Sequence, residues 1–348
     1  MPIKPNFLER FAFYRLNAGP APMLDLGGAL AYQVVSTAVQ LNIFNLLAES
    51  SATPAELTQR LNSHLRGTQR LLEALRAIGY VDVNNGRYHN TSMTQKWFLD
   101  SDSLDIVSGT KCWDLFLREL WPQAGDVVMS GKRPYDFYEF VTQDPAISDA
   151  FQQMMVGNAN ISGPEIIKKI GLPQQAGRLL DVGGGHGVFT VLFCEAYPDL
   201  HATVIDSEMA LKTAERHVST HKLDQRIELY AGDFWQMDWG TNHDLILLFN
   251  VLHHFDIPAN EKLLAKANAA LIPGGKVAIL EQVEGDVFGS ASEALVRLIG
   301  FMYYLFADGR IFSDAELTGM LTNAGFDGIK NQKLSKVPGH SLVTAVRG

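Results

Sequence analysis

The sequence predicts an α/β protein: an open parallel sheet with helices on both faces in the C-terminal half, preceded by a helical region. Three observations carry this. From Gly177 onward, short apolar strands alternate with helices across brief loops. Before that point the apolar residues recur at helical spacing, densest over residues 30–48. The 348 residues, 47% hydrophobic and 19% charged, supply enough material for two cores.

Taken in order, residues 30–48 are apolar nearly all round, so the helix they form must be buried, against its own core or a second copy of the chain. Thr53-Pro54-Ala55-Glu56 starts a helix, with a Thr cap, Pro at the first position and Glu three residues on. Leu71, Leu72, Leu75 and Ile78 share one face of the next helix. Tyr80–Val83 and Arg87–His89 flank Asn84-Asn85-Gly86, a hairpin signal. Helix, helix, hairpin is a winged-helix pattern. A winged helix often binds DNA, but the chain around the candidate recognition segment His64–Arg70 is acidic.

The strands of the second half are 178–182, 201–206, 227–231, 244–249 and 276–281, with helices over 188–196 and from 207 to about 221. Pro273-Gly274-Gly275 reads as a turn before the fifth strand. Sheets of this kind bind ligands at the C-terminal ends of their strands.

A net charge of −9 and the absence of a basic cluster argue against a nucleic-acid partner. Two cysteines, Cys112 and Cys194, lack disulfide or metal spacing and suit a reducing compartment. No run of about 18 apolar residues predicts a membrane span, and the N-terminal segment has no signal core. The expectation is a cytoplasmic enzyme with no nucleic-acid or membrane partner.

Asp181-Val182-Gly183-Gly184-Gly185-His186-Gly187 carries the chemistry. A turn needs one glycine; four in five residues let backbone approach a ligand closely. The loop follows a strand and opens a helix, and Asp206 ends the next strand about 20 residues on, where a carboxylate can hold a ribose diol. Asp181 stands directly before the loop, where it repels a pyrophosphate but suits the ammonium of a methionine moiety. Asp233-Phe234 closes the third strand with an acid for an adenine amino group and an aromatic for the ring. These features favour S-adenosylmethionine (SAM) over NAD.

Leu180–Gly187, Asp206, Gly232-Asp233-Phe234 and Pro273-Gly274-Gly275-Lys276 together resemble the class I SAM-dependent methyltransferases. The likeness is closest to the small-molecule O-methyltransferases of plant phenolic metabolism and bacterial antibiotic tailoring, and it covers nearly the whole chain. It implies a winged-helix dimerisation domain over residues 1–105, hence a homodimer. It further implies a helical linker and substrate-pocket region over 106–165 and a Rossmann-like SAM-binding domain over 166–348. SAM would sit on Asp181, Gly183, Gly185, Asp206, Asp233, Phe234 and Asn250. His254 matches the family's catalytic base and Glu281 the acid that flanks it. The family's base begins a His-Asp-Trp segment, whereas this chain reads His254-Phe255-Asp256. Where the family carries a second flanking Glu, this chain has Ile311. His253 is the alternative base, because adjacent residues at a strand end point in different directions.

Trp113, Phe116, Phe151, Met155, Asn158, Phe301 and Met302 are expected to line an acceptor pocket, although core packing accounts for most of them equally well. The expected reaction methylates a hydroxyl of a small, aromatic secondary metabolite. C- or N-methylation, or a SAM-binding enzyme that transfers no methyl, are the rival readings. No carboxylate-rich Mg²⁺ cluster is visible, so no metal is expected.

Overall fold

The computed structural model describes residues 6–16, 18, 22–100, 105–133, 135–143, 145–285, 290–337 and 339–348. Met1–Pro5, part of the segment read for a signal core, lie outside them. The chain divides into two compact units, Met1–Glu119 and Leu120–Gly348.

The first unit contains helices α1 (Phe7–Tyr14), α2 (Pro22–Gln40), α3 (Ile43–Glu49), α4 (Pro54–Leu61) and α5 (Leu65–Ala77). A hairpin follows, β1 (Val81–Asn84) and β2 (Arg87–Asn90), then the one-turn α6 (Ser92–Thr94) and α7 (Ile106–Glu119). Thr53 and Glu56 form the expected reciprocal cap on α4. Asn84 pairs with Arg87, which leaves Asn85-Gly86 as the two-residue turn. Leu72 and Leu75 are fully buried with Leu57, Ile43, Phe44 and Leu47, while Leu71 and Ile78 pack at the margin. Helix α2 is divided: Ala31, Val35, Ala38 and Val39 are buried, while Met23, Leu26 and Leu30 are exposed on the single chain.

The boundary at Glu119 places α7 with the first unit, where the sequence reading grouped 106–165 as one region. The cause is local: the Tyr32 hydroxyl of α2 donates to the Thr110 carbonyl at 2.9 Å, and Gln40 reaches Asp114 at 3.0 Å. Helices α8 (Ala124–Ser130), α9 (Phe137–Gln143) and α10 (Pro145–Ile170) belong to the second unit.

That unit is built on an eight-stranded sheet of β3 (Arg178–Val182), β4 (His201–Asp206), β5 (Ile227–Ala231), β6 (His243–Phe249), β7 (Leu271–Glu284), β8 (Phe312–Ser313), β9 (Phe326–Lys333) and β10 (His340–Arg347). Helices α11 (Val188–Ala196), α12 (Glu208–Thr220), α13 (Ile257–Ala270), α14 (Ser290–Ala307) and α15 (Asp314–Asn323) connect them. The order is β5-β4-β3-β6-β7-β10-β9, with β8 on β7. Strands β3 to β7 run parallel and β10 joins β7 antiparallel. The order reverses between β3 and β6, which opens a crevice at their C-terminal ends. One face of the sheet (Leu180, Val182, Ile246, Leu248, Val277, Ile279) packs with Leu263, Leu264, Leu317 and Leu321 of α13 and α15. Strand β7 is longer than its apolar run suggested, because Pro273-Gly274-Gly275 forms an irregular stretch within it rather than a separate turn. Among the described residues no single helix is long and apolar enough to cross a membrane.

Candidate active site

A cavity of about 670 Å³ lies at the C-terminal ends of β3, β4 and β6, within the range of small-molecule sites. Its floor is the glycine-rich loop after β3. Gly183 has φ of +72°, and a Cβ there would lie 2.7 Å from Val251 Cγ2. A Cβ on Gly184 would lie 2.6 Å from both Asp181 Cγ and Val204 Cγ1. The strand-to-helix turn therefore admits no side chain at either position, and bare backbone faces the cavity.

Two carboxylates are set around this floor, and Asp136 and Asp308 line the cavity as well. Asp181, on β3, is buried and accepts a hydrogen bond from Thr190 Oγ1 at 2.6 Å. Burial pushes its carboxyl up to about 7, against the pull of that hydroxyl. Asp206, ending β4, accepts from Gly185 N–H at 2.9 Å through Oδ2 and from Ser207 N–H at 2.6 Å through Oδ1. Burial raises its pKa too. Asp136 and Asp308 line the cavity together with Arg133 and Tyr135. Arg133 Nε donates to the Tyr304 carbonyl at 2.9 Å and its Nη2 to Asp308 at 2.5 Å.

Of the residues named for donor binding, Asp181, Gly183, Gly185, Asp206, Phe234 and Asn250 all line the cavity. Asn250 holds a left-handed φ of +56° at the end of β6, a conformation Asn adopts more readily than most side-chain-bearing residues. Asp233 is exposed and its Oδ1 takes the Trp235 N–H at 2.8 Å; Phe234 beside it reaches the cavity. Lys266 holds this segment in place, donating to the carbonyls of Phe234, Trp235 and Met237 at 2.6–3.2 Å.

The residues named for the acceptor divide. Phe151 and Met155, on α10, line the cavity, as do Phe137 and Phe306. Phe301 is partly exposed on α14 and stacks edge-on against Trp121; Met302 is buried. Neither they nor Asn158 is among the lining residues. Trp113 and Phe116 lie on α7 in the first unit, edge to face. Spacing alone could not separate these from Phe306, because every large apolar side chain on a helix reads alike. Arg133 and Gln152 line the cavity without having been singled out as site residues.

The two histidines follow β6 in a single 3₁₀ turn, Leu252–His254. The expected pairing of Glu281 with His254 is corrected here. Glu281 Oε2 lies 2.8 Å from His253 Nδ1, and its Oε1 accepts the backbone N–H of Leu252 at 2.8 Å and of His253 at 3.3 Å. The carboxylate is only 2% exposed and the His253 side chain 9%. Tyr303 stacks on the His253 ring, centroids 4.5 Å apart and planes within 16°. The Arg310 N–H donates to the His253 carbonyl at 2.9 Å. His253 is thus fixed by an acid, an aromatic face and a backbone donor. Ile311, where a second acid was expected, instead packs near Gly300 of α14. The reason for the swap is the turn itself: it aims His253 back at β7, and His254 into the cavity. Burial, with His253 4.0 Å away ring to ring, pushes the His254 pKa down to about 3.

This arrangement can hold a ligand with a cationic amino acid at one end and an adenosine at the other. Asp181 suits the ammonium, Asp206 a ribose diol, Phe234 an aromatic base, and the bare loop lets backbone close on the chain between them. The residues present fit SAM. Fold and site together define a SAM-dependent methyltransferase.

The family comparison agrees. Residues 123–327 match the O-methyltransferase domain and residues 25–101 the O-methyltransferase dimerisation domain. The chain belongs to this O-methyltransferase family. It is 26% identical over 350 residues to the 3-hydroxy-5-methyl-1-naphthoate 3-O-methyltransferase of Streptomyces sahachiroi, covering 94% of this chain and 95% of that one. It is 25% identical to the L-tyrosine C(3)-methyltransferase of Streptomyces lavendulae, over 92% of this chain and 91% of that one. Human N-acetylserotonin methyltransferase in complex with SAM shares the fold, with a TM-score of 0.79 at 21% identity over 94% of this chain and 97% of that one.

Proposed function

We propose that the chain transfers a methyl group from SAM to a hydroxyl of a small aromatic secondary metabolite, with His253 as the general base and Glu281 orienting it. The observation that carries this is the buried Glu281–His253 pair in the turn after β6, its imidazole 4.0 Å ring to ring from His254 of the cavity wall. A carboxylate on Nδ1 fixes the proton there, leaves the Nε2 lone pair to receive one, and stabilises the imidazolium that forms. When bound, SAM supplies an electrophilic methyl carbon on a good leaving group, so much of the protein's task is to hold the acceptor oxygen in line. Phe151, Met155, Phe137 and Phe306 offer apolar faces for an aromatic ring. A phenol titrates near 10, by analogy with tyrosine, so a base contributes by accepting the proton as the oxygen attacks.

His254 is the second reading, because it lines the cavity. Its depressed pKa weighs against it: a base whose conjugate acid titrates at about 3 draws little on a phenolic proton. His254 fits better as a neutral wall of the acceptor site. Likeness to an L-tyrosine C(3)-methyltransferase favours C-methylation as the other rival. Incubation with labelled SAM and a panel of phenols, with the methyl located in the product, separates these outcomes. A methyl on carbon or nitrogen would overturn the O-methyl reading and leave the donor reading intact.

Donor binding carries its own pH signature. Asp181 is half-protonated near pH 7 before a cation arrives, and only the carboxylate attracts an ammonium. Affinity should therefore be full above that pH and weaken as pH falls below it, approaching about tenfold per unit. Calorimetry with S-adenosylhomocysteine from pH 5.5 to 8 checks this, and Asp181→Asn should flatten the curve. An unchanged affinity across that range would remove Asp181 from the ammonium site.

The exposed apolar side chains Phe7, Phe11, Met23, Leu26 and Leu30, in a segment that overlaps the dimerisation domain, support a homodimer. Sedimentation at micromolar concentration should show twice the 38.4 kDa chain mass. Particles of single-chain mass alone would contradict it.

A further inference from the structure

Two of the three groups that hold His253 come from one place, the C-terminal end of α14. Tyr303, near the end of the helix, lies face to face on the imidazole, and the Arg310 N–H just beyond it donates to the His253 carbonyl. The approach is close: a Cβ on Gly309 would lie 2.9 Å from the His253 carbonyl oxygen and 3.1 Å from Tyr303 Cβ. Residues 303–310 therefore press on the histidine turn as one edge, and a shift of that edge moves the ring.

An α-helix leaves its last carbonyls without intrahelical donors, and its end carries partial negative charge. Here the chain turns at Asp308, whose φ is +56°, and the Gly309 N–H returns to the Tyr303 carbonyl at 3.0 Å. The Tyr304 carbonyl receives the Asp308 N–H at 3.3 Å and, from outside the helix, Arg133 Nε–H at 2.9 Å. Arg133 comes from the segment between α8 and α9 and meets the helix end in two further ways. Its Nη2 donates to Asp308 Oδ1, and its guanidinium lies over the Tyr304 ring, 5.0 Å from the centroid. Its side chain is 16% exposed against 72% for Asp308, so the guanidinium is the inner partner of the pair. A lone ion pair at the surface would contribute little. The rigid fork of an arginine fixes two points of the helix end at once, a carbonyl and a carboxylate.

We infer that Arg133 is a positioning residue for the general base: it fixes the end of α14, which fixes the His253 ring through Tyr303 and Arg310. This role rests on the reading of His253 as base. The π face of Tyr303 attracts the imidazolium that forms as the base takes its proton, so the placement of that ring counts most in the transition state. Ile311 stands where the family carries a second flanking acid. In this chain a helix end and the arginine that pins it steady the base instead.

Arg133 also lines the cavity, and kinetics separates positioning from direct contact with the acceptor. Arg133→Met keeps the apolar stem and removes every N–H donor. It should lower kcat by about 10- to 100-fold, the weight of a misplaced catalytic group, with acceptor KM and S-adenosylhomocysteine affinity changed by less than about threefold. Because the effect passes through His253, the same substitution in a His253→Ala background should cost less than about twofold further. Asp308→Gly suits the left-handed backbone and removes only the carboxylate, so it should show the same pattern at smaller size. Asp308→Asn keeps an oxygen for Nη2 and should retain most of kcat. These two variants carry the comparison if Arg133→Met does not fold. A rise in acceptor KM with kcat unchanged would make Arg133 an acceptor contact and overturn the inference, as would a fully active Arg133→Met. Equal losses from Arg133→Met with and without His253 would overturn it too, since a residue that acts through the base has nothing to act on once the base is gone. Should His253→Ala itself cost less than about tenfold, the base reading fails and this role goes with it.

Discussion

His253→Ala is expected to lower kcat by about 10²–10⁴-fold while leaving SAM affinity nearly unchanged, the signature of a lost general base. The ring is held on three sides, so nothing else can take its place: Glu281 at Nδ1, Tyr303 across its face, and His254, itself titrating at about 3. His254→Ala should cost less than about tenfold in kcat and act mainly on the acceptor KM, since that side chain lines the cavity. Glu281→Gln should fall between them, for a reason specific to the site. One carboxylate oxygen serves the Leu252 and His253 N–H groups and the other faces Nδ1. An amide satisfies the backbone donors only with its oxygen, which turns its NH₂ toward Nδ1. The imidazole must then carry its proton on Nε2, the wrong nitrogen for a base. Steady-state kinetics on the three variants decides the matter. A larger loss in His254→Ala than in His253→Ala would return the base to His254. If neither loss exceeds about tenfold, base catalysis is minor, and the O-methyl assignment should be given up before the SAM assignment.

Parts of the molecule with a short-range cause were legible in the sequence. The Thr53–Glu56 cap, the Asn85-Gly86 turn and the strands β3 to β6 follow from neighbouring residues, and each appears where its pattern places it. The glycine-rich strand-to-helix turn was legible for the same reason, as strand, turn and helix start lie within a dozen residues. Strand β9 was not, because it is a sheet edge with mostly exposed positions and shows no apolar run. The histidine pair marks a different limit. That two histidines stand near Glu281 follows from both ending adjacent parallel strands. Which one turns to the acid depends on a 3₁₀ turn after Asn250, where one residue of rotation exchanges the two side chains. No pattern in a single chain fixes that rotation. The acceptor region lacks contrast of another kind: Phe301 and Phe306 sit on one helix, similar in character, and only packing puts Phe306 and not Phe301 in the cavity.

Gly183→Val should abolish measurable SAM binding, a loss beyond about 100-fold, and with it all turnover. Two costs add. A left-handed backbone is unfavourable for any L-residue by about 1–2 kcal/mol, and a β-branched one tolerates it least. The new Cβ would also stand 2.7 Å from Val251 Cγ2, well inside contact distance, so either the loop or the segment that leads into the histidine turn must move. Movement of the loop displaces the backbone facing the cavity and the Gly185 N–H that orients Asp206. Gly240→Val provides the control. Gly240 has a similar φ of +67° but nothing within 4 Å of its Cβ position, and it does not line the cavity. That variant should lose stability by about the backbone cost and keep its affinity for S-adenosylhomocysteine. Thermal unfolding and calorimetry on both variants separate the two effects. Should Gly183→Val bind S-adenosylhomocysteine as tightly as Gly240→Val does, the glycine loop is a structural turn and the donor lies elsewhere.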